Sequence, residues 1–80
     1  MTPQQQEKVL DLVVALAGTD EVLGERDLDL FDAGLLDSLA FVELLVSLDN
    51  EFDLAVSPTE VDRDEVSSVN KLLAYVDARL

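Results

Sequence analysis

The sequence predicts a small all-α bundle of three main helices and one short helix. Three observations support this fold class: apolar residues recur at helical spacing in three segments, helix-capping residues precede those segments, and no segment alternates as a β-strand does. Eighty residues suffice for one domain, which we expect to span 1–80. The chain is 49% hydrophobic but only 5% aromatic, so Leu and Val must fill most of the core.

The first helix is predicted at the N-terminus. Thr2 can cap it, Pro3 suits the first helical position, and Gln5 completes a capping box. Its apolar residues repeat at helical spacing: Val9, Leu12, Val13 and Leu16. Gly18 is a stop signal that ends the helix. From Thr19 to about Asp37 no period holds, yet the segment is apolar, so we expect a long loop that packs on the core and contains one short helical turn.

The strongest helical pattern runs from Ser38 to about Phe52. Its buried stripe consists of residues at positions i, i+3, i+4, i+7 and i+11: Phe41, Leu44, Leu45, Leu48 and Phe52. Further along, Ser57-Pro58-Thr59-Glu60 is another capping box with Pro at the first position, which predicts a short third helix or a turn. The predicted helix 38–52 carries most of the information about function.

Ser67 or Ser68 is predicted to begin the last helix. Its apolar residues again follow helical spacing: Val69, Leu72, Leu73, Val76 and Leu80. Tyr75 lies off this repeat, so we expect it to be partly packed with an exposed hydroxyl. Neither internal repeats nor a domain boundary interrupt the chain, which we interpret as one unit.

Composition narrows the classes of function. The chain has no Cys and no His, which excludes disulfides, thiolate metal sites and the usual proton-transferring side chain. Eighteen acidic residues against five basic ones give a net charge of -13, which disfavours nucleic acid and favours basic protein partners. No signal peptide and no membrane span are indicated, so we expect a cytoplasmic protein. We also expect it to be a monomer.

The acidic residues do not form a convincing metal or catalytic site. Asp27 and Asp29 fit the first two positions of a calcium-binding loop, but Phe31, Asp32 and Ser38 stand where ligands or glycine are required. The remaining acids are more simply a solvated face, and no partner base accompanies them. We therefore predict no metal site and no enzymatic activity.

The predicted helix 38–52 has more apolar residues than one buried stripe requires. At about 100° per residue, Leu39, Val42 and Val46 lie opposite the core stripe, on the side of Ser38, with Glu43 and Asn50 at the margin. An apolar strip beside acids on the outer side of a helix indicates a surface for partner proteins. The alternative is that the helix is central and buried all round.

Ser38 itself admits two interpretations. An Asp-Ser pair before a helix is most often a simple cap. Here Asp37 can supply the cap, which leaves the Ser38 hydroxyl in the first turn and free to face solvent. A hydroxyl there suits a phosphodiester, because free backbone N–H groups and the helix dipole favour an anion.

Three motifs around this position resemble the attachment region of acyl and peptidyl carrier proteins: Gly34-Leu35-Leu36-Asp37-Ser38-Leu39, Val42-Glu43-Leu44 and Glu51-Phe52-Asp53. The resemblance extends over nearly the whole chain and implies a four-helix acyl-carrier-type bundle. It also implies that a 4'-phosphopantetheine arm from coenzyme A is attached covalently to Ser38 and holds an acyl or aminoacyl group as a thioester. The protein would then carry its cargo without catalysing a reaction.

The resemblance also implies partners. Asp37, Leu39, Val42, Glu43 and Val46 would form the surface read by a phosphopantetheinyl transferase, by an adenylating or acyltransferase loading enzyme, and by a downstream acyl-accepting enzyme. This set agrees with the outer strip found from spacing alone.

The subtype is less clearly marked. Phe52-Asp53-Leu54 and Glu60-Val61-Asp62-Arg63-Asp64 resemble discrete D-alanyl carrier proteins of teichoic acid modification. The richness in Ala, Val, Leu and Asp, with only two Lys, favours a discrete carrier of polyketide or nonribosomal peptide metabolism, which we take as the main interpretation. A D-alanyl carrier is the alternative, and an acidic helical adaptor without a prosthetic group is the alternative from another class.

Overall fold

The computed structural model describes residues 1–80, and all of its regular secondary structure is helical, which confirms the predicted fold class. The three α-helices are α1 (Pro3–Ala17), α2 (Ser38–Phe52) and α3 (Val69–Asp77). Two 3₁₀ helices, Glu21–Gly24 and Arg63–Val66, lie in the segments between them. α1 packs against both α2 and α3, and the second 3₁₀ helix packs against α3.

The predicted caps of α1 and α3 form as the sequence indicates. Thr2 Oγ1 accepts a hydrogen bond from Gln5 N (3.2 Å), and Gln5 Oε1 accepts one from Thr2 N (2.8 Å). Gly18 ends α1 with a φ of 74°, the left-handed conformation that glycine adopts without strain. Ser68, the second of the two predicted candidates, caps α3 by accepting from Lys71 N (3.2 Å).

One apolar core joins all of these elements. The members at most 1% exposed come from each α-helix, from both 3₁₀ helices and from the loop after α1: Val9, Val13, Val22, Leu30, Leu44, Leu48, Val66, Val69, Leu72 and Val76. Phe52, predicted in the stripe of α2, is only partly buried against this core. Burial of so many aliphatic side chains is the main source of stability in a domain that lacks disulfides.

The loop between α1 and α2 is tied to the rest of the molecule at several points. Leu30 N donates to Ser67 O (2.7 Å), and Asn70 N donates to Arg26 O (3.0 Å). Leu30 O in turn accepts from Leu36 N (3.1 Å) and from Leu35 N (3.0 Å) just before α2. The long loop is therefore packed as predicted, and it fixes the position at which α2 begins.

The segment after Ser57 forms a turn, one of the two structures predicted for it, and the fourth, short helix follows this turn. Pro58 to Glu60 form only a turn, in which Ser57 Oγ bonds with Thr59 Oγ1 (2.8 Å). The short helix is the 3₁₀ helix Arg63–Val66, and Glu65 Oε2 accepts from Asp62 N (3.1 Å) at its start. Burial of Val61 and Val66 explains where this short helix forms, because these two side chains anchor it on the core.

The last helix differs from the sequence expectation at two residues. Tyr75 is only 7% exposed and its ring belongs to the core, because α3 packs against both α1 and the second 3₁₀ helix and buries a wider face than a single stripe. Its hydroxyl keeps the expected contact with solvent, since it makes no hydrogen bond within the protein and no side-chain oxygen is buried without a partner. The guanidinium of Arg79 covers its ring at 3.5 Å from the centroid. Leu80 does not extend the buried repeat, because α3 ends at Asp77 and leaves Leu80 about half exposed.

Candidate functional site

The candidate site is the first turn of α2. Asp37 adopts an extended conformation and caps the helix, since its Oδ1 accepts from Ala40 N (2.8 Å). Ser38 is the first helical residue, and its side chain is exposed. The cap is thus made by Asp37, as expected, and the Ser38 hydroxyl takes no part in it.

The chain reaches this turn through a tight bend. Gly34 has a φ of 76°, a left-handed backbone conformation that residues other than Gly rarely adopt. Asp29 Oδ1 holds the start of the bend by accepting from Phe31 N (3.0 Å) and from Asp32 N (3.1 Å). These local bonds deliver Leu36 into the core and Ser38 to the surface.

The backbone at the start of α2 offers free hydrogen-bond donors. The N–H groups of Ser38 and Leu39 precede the first intrahelical bonds and donate to no protein acceptor. With the helix dipole, these donors favour an anion next to the hydroxyl. An exposed hydroxyl with free N–H groups beside it fits a phosphodiester-linked group.

A residue that the sequence analysis did not single out for the site, Arg63, contacts the hydroxyl. Its Nη2 donates to Ser38 Oγ across 25 positions of sequence. The guanidinium lies 5.2 Å from the ring centroid of Phe31 and 6.0 Å from that of Phe41. The one sequence signal was the motif Glu60-Val61-Asp62-Arg63-Asp64, which indicated a subtype but no role for this arginine.

The outer strip of α2 is exposed. Leu39 is 67% exposed, Val46 54% and Val42 42%, whereas Leu44 and Leu48 on the opposite side are at most 1% exposed. Helix α2 therefore has one apolar face that is buried and a second apolar strip that faces solvent. The alternative of a helix buried all round is wrong.

The remaining residues predicted for the partner surface lie beside this strip. Asp37 and Glu43 are exposed on α2. A shallow groove continues the surface from Val42 and Val46 to the segment Ala55–Pro58. The structure thus leaves all five predicted partner residues exposed, four on α2 and Asp37 at its N-terminus.

A small helical bundle that presents an exposed serine hydroxyl beside an exposed apolar strip has the features of a carrier domain. Comparison with protein families agrees: the model described as "Phosphopantetheine attachment site" matches residues 7–76. The chain belongs to this family of carrier proteins, which hold their cargo on covalent 4'-phosphopantetheine and do not themselves catalyse a reaction.

Similar proteins narrow the resemblance further. A D-alanyl carrier protein of Abiotrophia defectiva is 41% identical over 75 residues, which is 94% of this chain and 95% of that protein. One from Lactococcus lactis subsp. cremoris (strain MG1363) is 36% identical over 74 residues, covering 92% and 94%. One from Enterococcus faecalis (strain ATCC 700802 / V583) is 38% identical over 73 residues, covering 91% and 94%. Within the family, the chain is therefore similar to D-alanyl carrier proteins.

Two further observations concern the structure as a whole. No helix of the structure has both the length and the apolar composition needed to cross a membrane. The acidic and other potential ligand side chains form no group of three that could hold a metal ion.

Proposed function

We propose that the protein carries a D-alanyl group as a thioester on a phosphopantetheine arm attached to Ser38. The observation that carries this proposal is the similarity to D-alanyl carrier proteins over more than nine-tenths of the chain. The exposed hydroxyl of Ser38, its free N–H neighbours and the cap made by Asp37 support the attachment point.

Attachment requires only that the Ser38 hydroxyl reach an activated phosphate. Ser38 Oγ attacks the phosphorus of coenzyme A that bears the pantetheine, the pyrophosphate P–O bond breaks, and 3',5'-ADP leaves. The hydroxyl proton passes to a base of the transferase or to water. The thiol of the arm then supplies the nucleophile that a chain without Cys lacks, and it holds the cargo in an activated form.

The similarities favour the D-alanyl alternative over the main interpretation from the sequence. That interpretation, a carrier of polyketide or nonribosomal peptide metabolism, rests on amino-acid usage, which has no physical connection with the cargo. The named relatives are D-alanyl carriers, and each comparison covers more than nine-tenths of this chain. Family membership likewise favours a carrier over an acidic adaptor without a prosthetic group.

We further propose that Asp37, Leu39, Val42, Glu43 and Val46 form the surface on which the transferase, the loading enzyme and the acceptor enzyme dock. Exposure of the apolar strip supports this assignment, because single exposed aliphatic residues are common but an aligned strip is not. The net charge of -13 fits partners with basic surfaces.

A loading experiment tests the cargo. The holo protein is incubated with ATP, a D-alanine-activating adenylating enzyme and either D-alanine, L-alanine or glycine, and its intact mass is measured. We expect a gain of about 71 Da, the calculated mass of one alanyl residue, with D-alanine and a much smaller yield with the other two. Equal loading by the other amino acids, or none by D-alanine, would refute the D-alanyl assignment while leaving the carrier role intact.

A further inference from the structure

Arg63 occupies an unusual position for a basic residue of this chain. It begins the second 3₁₀ helix, and the buried side chains of Val61 and Val66 hold that turn on the core. Its guanidinium faces Phe31 and Phe41, whose rings meet edge to face at 6.1 Å between centroids. The aromatic pair thus supports a cation at the entrance to α2.

The charge of Arg63 is not neutralised by a carboxylate. The two ion pairs of the molecule join Met1 to Asp77 and Lys8 to Glu51, and neither includes Arg63. The neutral hydroxyl of Ser38 is the hydrogen-bond acceptor that its guanidinium contacts. A guanidinium that has no carboxylate partner and contacts one hydroxyl can bind an anionic group attached to that hydroxyl.

A phosphodiester on Ser38 would bring a negative charge to a strongly acidic surface. Asp37, Asp62 and Asp64 are exposed neighbours in sequence of the two residues that meet here. Their field disfavours the modified state, since like charges at close range repel. The cation that faces Ser38 offsets this repulsion at the point where the phosphate would be attached.

We propose that Arg63 clamps the phosphodiester at the root of the arm, an inference that rests on the proposed attachment to Ser38. After attachment, Oγ becomes a bridging ester oxygen, and the non-bridging oxygens lie one bond beyond its phosphorus. A guanidinium that reaches Oγ can reach these oxygens, and its planar fork suits a phosphate better than an ammonium does. Arg63 thereby restrains the root of the arm, whereas the thiol end remains free to visit partner enzymes.

The test compares apo and holo forms of four proteins: the wild type, Arg63→Gln, Arg63→Lys and Arg79→Gln. Arg79 is the matched control, because its guanidinium also lies over an aromatic ring but contacts Tyr75 instead of Ser38. Each protein is modified to completion, the arm is verified by intact mass, and Tm and the ³¹P chemical shift of the phosphodiester are measured at low and high salt.

We expect the arm to raise the Tm of the wild type and of Arg79→Gln by roughly 2–4 °C at low salt. The gain should vanish in Arg63→Gln and be intermediate in Arg63→Lys. The ³¹P shift of Arg63→Gln should move to the value of the urea-unfolded holo protein, and high salt should move the wild type partway there. A merely structural role of Arg63 would change the Tm of apo and holo forms equally.

Three results overturn the clamp. The first is a change in Tm from apo to holo form that is the same in the wild type and in Arg63→Gln. The second is a ³¹P shift of holo Arg63→Gln that equals the shift of the holo wild type. The third is a loss of the Tm gain in Arg79→Gln as large as in Arg63→Gln, because it would show a general effect of charge. If the wild type accepts no arm at Ser38, the proposed function fails and the clamp fails with it; normal arm attachment with no role for Arg63 refutes the clamp alone.

Discussion

At the scale of single residues, Asp37 performs two separable tasks. Its carboxylate oxygen caps α2 by accepting from Ala40 N, and its negative charge lies on the surface proposed for partners. An amide oxygen caps a helix about as well as a carboxylate does, but it carries no charge. Stability and partner recognition should therefore respond differently to two substitutions at this one position.

We predict that Asp37→Ala lowers the free energy of unfolding by about 0.5–2 kcal/mol, because Ala40 N loses its acceptor. Asp37→Asn should stay within about 0.5 kcal/mol of the wild type. Urea unfolding followed by circular dichroism measures both. Asn should nevertheless slow phosphopantetheine transfer at low salt, where charge attraction is strongest. Equal destabilisation by Ala and Asn would contradict the capping role.

Two glycines test the bend before α2. Gly34 has a φ of 76°, whereas Gly24 has no such conformation, and a Cβ at either position meets open space. Gly34→Ala should therefore cost roughly 1–2 kcal/mol through backbone strain alone. Gly24→Ala should be neutral or slightly stabilising. Thermal unfolding of both variants is the measurement, and a neutral Gly34→Ala would show that this bend does not constrain the start of α2.

The residue scale also shows what sequence alone can predict of the site. The cap by Asp37 and the exposed Ser38 follow from local patterns, because both depend on neighbours within three residues. The contact of Arg63 with Ser38 depends on where a distant 3₁₀ turn packs, and no periodicity encodes that. Local chemistry was predictable, whereas the juxtaposition of remote side chains required the structure.

At the scale of elements, α2 has two apolar faces with different tasks. Leu48 is fully buried and Val46 is 54% exposed, although only two positions separate them. The buried face stabilises the fold, and the exposed strip is available for other proteins. The same kind of substitution should thus affect stability on one face and transfer on the other.

We predict that Leu48→Ala costs roughly 2–5 kcal/mol, because a cavity replaces a buried side chain in a small domain. Val46→Ser should change stability by no more than about 0.5 kcal/mol, since Val and Ser have similar helix propensity and the site is exposed. Val46→Ser should instead slow arm attachment or cargo loading. Unfolding of Val46→Ser would show that this strip belongs to the core.

The charge of the same element gives a second prediction. Glu43→Lys should slow transfer to and from partner enzymes several-fold at low salt without altering the Tm by more than a few degrees. Glu7→Lys is the control, because it makes the same charge change at an exposed position of α1. Equal slowing by both variants would indicate that net charge, and not the surface of α2, governs recognition.

The boundaries and burial of the helices show how far the sequence pattern predicts each element. The caps of α1 and α2 were predicted correctly because each stands directly before a long apolar repeat. The capping-box pattern at Ser57 has no such repeat behind it, and of the predicted helix or turn the chain forms the turn. Tyr75 lies off the apolar repeat of α3, yet its ring is buried more completely than partial packing, because this short helix is covered on more than one side.

At the scale of the whole molecule, the net charge of -13 sets a background repulsion. Few of these charges are paired, since the structure has only two ion pairs, both with exposed carboxylates. Self-repulsion of this kind destabilises a compact state, and salt screens it over a Debye length of about 10 Å at 0.1 M. The fold should therefore be more stable at moderate salt than at low salt.

We predict a rise of a few degrees in the Tm of the apo protein between 0.01 M and 0.3 M salt, concentrations that span Debye lengths from about 30 Å to below 8 Å. Differential scanning calorimetry in both NaCl and KCl would distinguish screening from binding of a particular cation. A Tm that is constant or falls with salt would show that the acidic groups are too far apart to repel appreciably.

The central claim is that Ser38 carries the phosphopantetheine arm, and intact mass tests it most directly. The wild type, Ser38→Ala and Ser47→Ala are incubated with coenzyme A and a promiscuous phosphopantetheinyl transferase, the last variant being a serine control within α2. We predict a gain of about 340 Da, the calculated mass of the arm, for the wild type and Ser47→Ala, and none for Ser38→Ala. No gain in the wild type, or a gain that survives Ser38→Ala, would contradict the claim.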